Sequence, residues 1–166
     1  QPLLQDVEYF KLVADKKKYQ VKSGKYPIEK GMNNNEIINS LRSRNTPVRL
    51  QFSYEKNIKT LSQTLSKQIA LDSESIYKTF TDSTFLEKNN LNRKTVSAIF
   101  LPNTYEIYWD VTAEKLRDRL YKEYDNFWNA EREKKLENLE FSKVDASTLA
   151  SIVRKETSQL KEADRI

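Results

Sequence analysis

Capped apolar stripes at helical spacing recur along this chain, and only two clear alternating stretches interrupt them. Asn33 with Glu36 three residues on forms a capping box, and Ile37, Ile38 and Leu41 share the face that follows, ending near Ser43 to Asn45. Asn57 to Ala70 repeats the pattern with Ile58, Leu61, Leu65 and Ile69. Asp72 caps a third stripe (Ile76, Tyr77, Phe80), and Thr112 a long fourth one through Leu116, Leu120, Tyr124, Phe127 and Trp128. Ser142 and Asp145 make another box before the last helix. Strand signals stand at Val48, Leu50 and Phe52, just after Pro47, and at Tyr105, Ile107 and Trp109, just after Pro102. Such a chain is α+β.

Less regular stretches complete the reading. Val7 and Tyr9, then Phe10 to Val13, alternate loosely and predict a strand, with a second short strand at Tyr19 to Val21. Gly24 and Gly31, the two glycines of the chain, bracket GKYPIEKG, and Gly31 marks a tight turn. Phe85 and Leu86 tuck a short helical turn into the polar stretch Thr81 to Asn92. A boundary near residue 90 divides the chain into 1–90 and 91–166. Repeats, low-complexity segments, Gly-rich phosphate loops and sustained heptads are absent.

Composition limits the chemistry more than the fold. The 166 residues contain no His and no Cys. That excludes a Ser-His-Asp triad, a Cys-His pair, a CxxC redox pair and the usual zinc sites. Asp, Glu, Lys, Tyr or Ser must carry any reaction, and no cofactor or metal is expected. Hydrophobic residues make up 37% and aromatics 11%, enough for an aromatic-rich core beneath a surface fed by 32% charged residues. The net charge of +5 is mild. Apart from the run Lys16 to Lys18, read as a solvated turn, basic residues are spread along the chain, so no nucleic-acid partner is expected. There is no apolar run long enough to span a bilayer and no signal peptide. The chain opens on Gln1-Pro2 without Met and stops at Ile166, which reads as a processed piece with an upstream anchor removed.

One carboxylate stands out. In TLASIVRKET, residues 148 to 157, Leu149, Ile152, Val153 and Glu156 fall on one helical face, while Ser151, Arg154 and Lys155 point elsewhere. A carboxyl on an otherwise apolar face is predicted to sit where water is scarce. That setting favours the protonated form and suits a general acid.

FLPNTYEIYW (Phe100 to Trp109), a long helix, and then TLASIVRKET resemble, in order and spacing, the MltG/YceG-like family of endolytic murein transglycosylases. GKYPIEKGM with its short helix and strand is similar to the LysM-like subdomain that precedes the catalytic region there. The resemblance covers most of residues 24 to 166. It implies a small LysM-like subdomain within 1–90, followed in 91–166 by the start of a mixed α/β catalytic domain, with further segments of that domain lying past this sequence. It implies a membrane-anchored enzyme of the bacterial plasma membrane, working on the extracytoplasmic side on nascent peptidoglycan glycan strands, with cell-wall synthases as partners. Glu156 matches the family's catalytic Glu in the ASI-V-x-K-E-T segment.

The reaction so implied cleaves the bond between N-acetylmuramic acid and N-acetylglucosamine and leaves a 1,6-anhydro end. A single Glu serves as acid and base when the sugar's own C6 hydroxyl attacks, and a protein without His or Cys can do this. Asn103, Tyr105 and Glu106 are the accompanying substrate-binding candidates. Their bland readings are a turn residue, a core aromatic and a carboxylate paired with a nearby Lys. Tyr108 and Trp109 are further aromatics able to stack on sugar rings, and Trp128 belongs to the core. The chain departs from the family pattern at Arg154, often acidic there, at Ser97-Ala98 and Asn103, commonly Glu-Gly and Asp, and at Ser53-Tyr54-Glu55-Lys56, often Pro-Glu-Gly. Two other readings remain open: a glycan-binding or scaffold module on the same fold, and a helical interaction domain in which Glu156 is incidental.

Overall fold

A computed structural model describes residues 4, 6–53, 55 and 57–156. Tyr54, Lys56 and Thr157, part of the motifs quoted above, lie outside the described residues. The elements run α1 (Val7–Lys16), α2 (Asn34–Ser43), β1 (Val48–Gln51), α3 (Ile58–Ser66), α4 (Ser73–Phe80), α5 (Ser83–Lys88), a 3-10 turn (Val96–Ile99), β2 (Thr104–Ile107), α6 (Ala113–Phe127), α7 (Ala130–Asn138) and α8 (Lys143–Glu156). The fold is α+β, as expected.

The caps act where the sequence puts them. Asn33 Oδ1 accepts from the Glu36 amide at 3.0 Å, and Glu36 Oε2 accepts from the Asn33 amide at 2.8 Å. Asp72 Oδ1 takes the Ser75 amide at 2.8 Å. Thr112 caps α6, and Ser142 with Asp145 opens α8 through reciprocal bonds of 3.1 and 2.9 Å. Each bond satisfies an amide that the first helical turn leaves without a partner. Ser142 also holds the Asp145 carboxyl below the usual carboxylate range, first through its hydroxyl and then through its amide.

β1 and β2 pair antiparallel, with Val48 opposite Ile107, Arg49 opposite Glu106, Leu50 opposite Tyr105 and Gln51 opposite Thr104. Their inward residues, Leu50, Tyr105 and Ile107, join one hydrophobic cluster that takes in Phe52, Leu61, Leu65, Ile76, Phe80, Val96, Ile99, Phe100, Leu116, Leu120 and Trp128. Aromatic rings form its middle. Phe52 stacks on Tyr105 at 5.4 Å between centroids, and Phe100 lies 4.7 Å from Phe80. Residue 90 therefore falls inside the span of a single cluster.

Three sequence expectations are corrected here. Residues 7–16 form helix α1 and not a strand: Asp6 Oδ1 caps it at the Tyr9 amide, 2.9 Å, and Phe10, Val13 and Ala14, at helical spacing, turn partly inward. Tyr19 to Val21 is irregular, and Val21 is 89% exposed. The long helix from Thr112 also ends earlier than its apolar stripe. It stops at Phe127, and Asn129 caps a separate α7 through the Arg132 amide at 3.0 Å. An Asn able to take an amide competes with helix continuation at that point.

Gly24 is required by space as well as by its backbone angle (φ +149°). A Cβ there would sit 2.6 Å from the Asn45 side chain, whose Oδ1 accepts from the Lys25 amide at 3.1 Å. Gly31 turns the chain into α2 with φ +94°.

Leu116 is fully buried, so Leu116→Ala is expected to cost about 2–5 kcal/mol in urea unfolding. Leu12→Ala, at a side chain 59% exposed, is expected to stay within about 0.5 kcal/mol.

Candidate functional site

A cleft of about 530 Å³ opens where three segments meet. Ser53, Glu55 and Asn57 come from the turn between β1 and α3. Arg93 to Thr95, Ser97, Ala98, Phe100 and Leu101 come from the 3-10 turn and its flanks. Val144, Ser147, Thr148 and Ser151 come from α8. These α8 residues are spaced three and four apart, so one helical stripe forms that wall. Leu61 and Phe100, both buried, belong to its apolar floor.

The walls differ in hydrogen-bonding character. On α8, the Ser147 hydroxyl donates to the Lys143 carbonyl (2.9 Å), Thr148 to Val144 (2.8 Å) and Ser151 to Thr148 (2.7 Å). Their protons are used within the helix, which leaves oxygen lone pairs free to accept. Arg93 and Lys94 supply exposed cationic donors on the facing wall. Glu55 is the acidic residue among the described lining residues. It is half-buried, and its Oε1 accepts from the Thr64 hydroxyl at 2.9 Å. Sequence reading passed over Glu55, Arg93 and Lys94 as site residues. The turn signal at Ser53 to Lys56, directly after a strand, was the available pointer to the first. No hydropathy pattern points to the other two.

Glu156 lies elsewhere on α8. It follows Ser151 by five residues, about 7.5 Å along the axis and roughly 140° around it. Glu156 is exposed, and so are Leu149 (46%) and Ile152 (50%). The expectation of a carboxylate on the core side is therefore corrected. α8 turns Val144, Ala146 and Ser147 inward, and Ala146 packs against the central cluster. Small side chains let the helix approach the 3-10 turn closely. Leu149, Ile152 and Glu156 are left facing outward, while Val153 of the same stripe is half-buried.

The other predicted residues separate. Tyr105 is core: it is 4% exposed, its ring stacks on Phe52, and its hydroxyl donates to the Leu101 carbonyl at 2.6 Å. Burial, reinforced by the Glu123 carboxylate, pushes its phenol up to about 12. Glu106 is exposed and stands opposite Arg49 in the sheet, where a Lys partner was expected. Asn103 is exposed and accepts from the Thr104 amide at 2.8 Å, which fits its turn role. None of the three lines the cleft. Trp109, expected to share the inward face of β2, lies past its end at 39% exposure, and its carbonyl accepts from the Ala70 amide. Tyr108 lies in a different depression, with Tyr26 and Arg42. Trp128 is buried, as expected. Among the described residues no cluster of acidic side chains has the geometry to hold a metal ion.

The YceG-like family model matches residues 1–166, the whole sequence, and the chain belongs to that family. The crystal structure of a yceG-like protein, lmo1499, from Listeria monocytogenes shares the fold with a TM-score of 0.62 at 18% identity. The alignment covers 97% of this chain and 59% of that one, so this chain spans little more than half the length of its structural relative. No curated protein matches it.

Tyr105 and Tyr124 are both pushed up to about 12, above the usual value near 10, chiefly by burial. The stability they confer while neutral is whole below about pH 10 and is lost as pH rises through about 12. Of the nine Tyr, these two are expected to ionise last in ultraviolet difference spectra, together with alkaline unfolding. Tyr105→Phe is expected to raise the alkaline unfolding midpoint while costing about 1 kcal/mol at neutral pH through the lost hydrogen bond.

Proposed function

We propose that this chain is part of an endolytic lytic transglycosylase that cuts peptidoglycan glycan strands, and that its cleft is a glycan-binding groove. One observation supports this most. Segments far apart in sequence that carry or flank the family resemblance, the turn after β1, the stretch from Ser97 to Leu101 and helix α8, converge on one cleft. Its surfaces suit a sugar. An apolar floor meets the C–H faces of a ring, hydroxyl oxygens accept from sugar hydroxyls, and cationic donors line the opposite rim.

In this reading, which rests on the family match of the segment around it and not on its exposed position outside the cleft lining, Glu156 donates its proton to the glycosidic oxygen. The bond from that oxygen to C1 of N-acetylmuramic acid breaks as oxocarbenium character develops. The C6 hydroxyl of the same sugar attacks C1 and gives its proton to the carboxylate, which regenerates the acid. The product end is 1,6-anhydro, and no water or second protein nucleophile is consumed. The natural setting is the outer face of a bacterial plasma membrane, beside cell-wall synthases. The exposed position of Glu156, outside the cleft lining, favours a second reading, in which this chain supplies glycan binding on an inherited enzyme fold.

Mass spectrometry of digested peptidoglycan separates the two. The full-length protein is expected to release anhydro-ended fragments, Glu156→Gln to reduce them at least about a hundredfold, and the 166-residue chain alone to show little turnover. Unchanged product from Glu156→Gln would remove Glu156 from the mechanism. Glycan binding without anhydro ends from either copy would establish the binding module.

A further inference from the structure

Two cations stand side by side at the mouth of the cleft. Arg93 and Lys94 are consecutive, both are exposed and both line it. A turn bonded at both ends presents them. Asn92 Oδ1 accepts from the Lys94 amide at 2.8 Å and from the Thr95 amide at 3.1 Å, and the Asn92 amide donates to Thr95 Oγ1 at 2.9 Å. The Asn92 carbonyl accepts from the Val96 amide at 2.9 Å, which joins this turn to the 3-10 turn Val96–Ile99. Val96 and Ile99 are buried in the core, and the 3-10 turn packs on α8. The backbone under the two charges is therefore fixed before any ligand arrives.

Neither charge is used within the protein. The ion pairs among the described residues lie on α4, α6 and α7 and between α7 and α8, and include neither Arg93 nor Lys94. Glu55 comes from the turn after β1, and its Oε1 accepts from the Thr64 hydroxyl. The α8 wall, with Ser147, Thr148 and Ser151, is uncharged. The cleft thus has a cationic rim on one side and neutral oxygen acceptors on the other. A neutral sugar is served by the acceptors and by the apolar floor at Leu61 and Phe100, and gains nothing from the charge of the rim. A carboxylate does: a guanidinium can hold it through two parallel hydrogen bonds, and an ammonium adds a point charge beside it.

We propose that Arg93 and Lys94 bind carboxylates of the peptide stem that N-acetylmuramic acid carries on its lactyl arm, so that the cleft favours strands whose stems are acidic. The inference rests on the reading of the cleft as a glycan-binding groove. The sugar covers the apolar floor and the stem leaves across the rim. Both cations are exposed, so each contact is modest and acts on affinity, not on the bond that breaks.

Fluorescence anisotropy of the 166-residue chain with labelled soluble strands tests this, and reads binding whether or not a bond is cut. The probes are strands with free stem carboxylates, the same strands after amidation of those carboxylates, and strands freed of their stems. The first are expected to bind about fivefold or more tighter than the second, and the difference is expected to shrink as salt rises. Arg93→Gln with Lys94→Gln is expected to make the two equal, and Arg93→Glu with Lys94→Glu to reverse their order. Circular dichroism checks that each variant folds. In the full-length protein the Gln pair is expected to act through KM and not kcat. Equal binding of free and amidated stems, a preference that survives the Gln pair, or stem-free strands binding as tightly as the first would overturn the proposal. Anhydro-ended products formed with no such preference would remove this inference alone. Absence of binding by every strand would remove the groove reading together with it.

Discussion

Four residue pairs between β1 and β2 hold the architecture in place. Joining residues 48–51 to 104–107 closes a loop of more than fifty residues, and the entropy of closure must be recovered by what the junction buries. A two-stranded ribbon is marginal by itself. Here it is covered by α3, α4 and α6 through Leu50, Tyr105 and Ile107, with the Phe52 ring stacked on Tyr105 and Phe100 against Phe80. The same junction fixes the cleft. Phe52 leads into the turn that supplies Ser53 and Glu55, while Phe100 and Leu101 approach β2 from the other side. Tyr105 spans both roles, because its hydroxyl holds the Leu101 carbonyl just before the strand begins. A residue offered as a substrate contact is thereby a structural one, and its chemistry is consumed by packing.

What was legible in the sequence was local. Caps at Asn33, Asp72, Thr112 and Ser142 announce themselves because each effect acts within four residues. The stripes of α3 and α6 were legible for the same reason, as was the alternation of β1. Residues 7–13 misled because Val, Tyr, Phe and Leu so close together satisfy a period of two as readily as one of 3.6. The decisive capping bond of Asp6 involves a single side chain. The break at Trp128 and Asn129 was hidden by a stripe that continues through it.

The site was less legible because it depends on which elements meet. α8 carries two candidate faces, one aliphatic and one small and hydroxylic. Hydropathy alone favours burying Leu149 and Ile152. The surface available is the 3-10 turn Val96–Ile99, and close approach to it favours Val144, Ala146 and Ser147. Ser and Thr lose little in that position, since each hydroxyl donates to its own helix. Periodicity identified the helix and its two sides but could not choose between them. Glu156 followed the side that was not chosen. Arg93 and Lys94 form a cleft wall only because the chain folds back over α3, which no local pattern announces.

Charge shows the same division between local pattern and assembled surface. A total of +5 looks mild because it averages segments of opposite sign: residues 11–25 and 42–67 each hold six basic residues against one acidic residue, and acidic stretches elsewhere offset them. In solution at physiological salt the field of a surface charge decays over about 8 Å, so an approaching surface feels its nearest neighbours and not the total. Interspersed charges of both signs cancel at that range, as they do along α6, where Arg119 pairs with Glu123. Lysines 16, 18, 22 and 25 lie close together in sequence on the end of α1 and its loop, with Asp15 as the nearest opposing charge in the chain. The total therefore says little about any one face of the molecule.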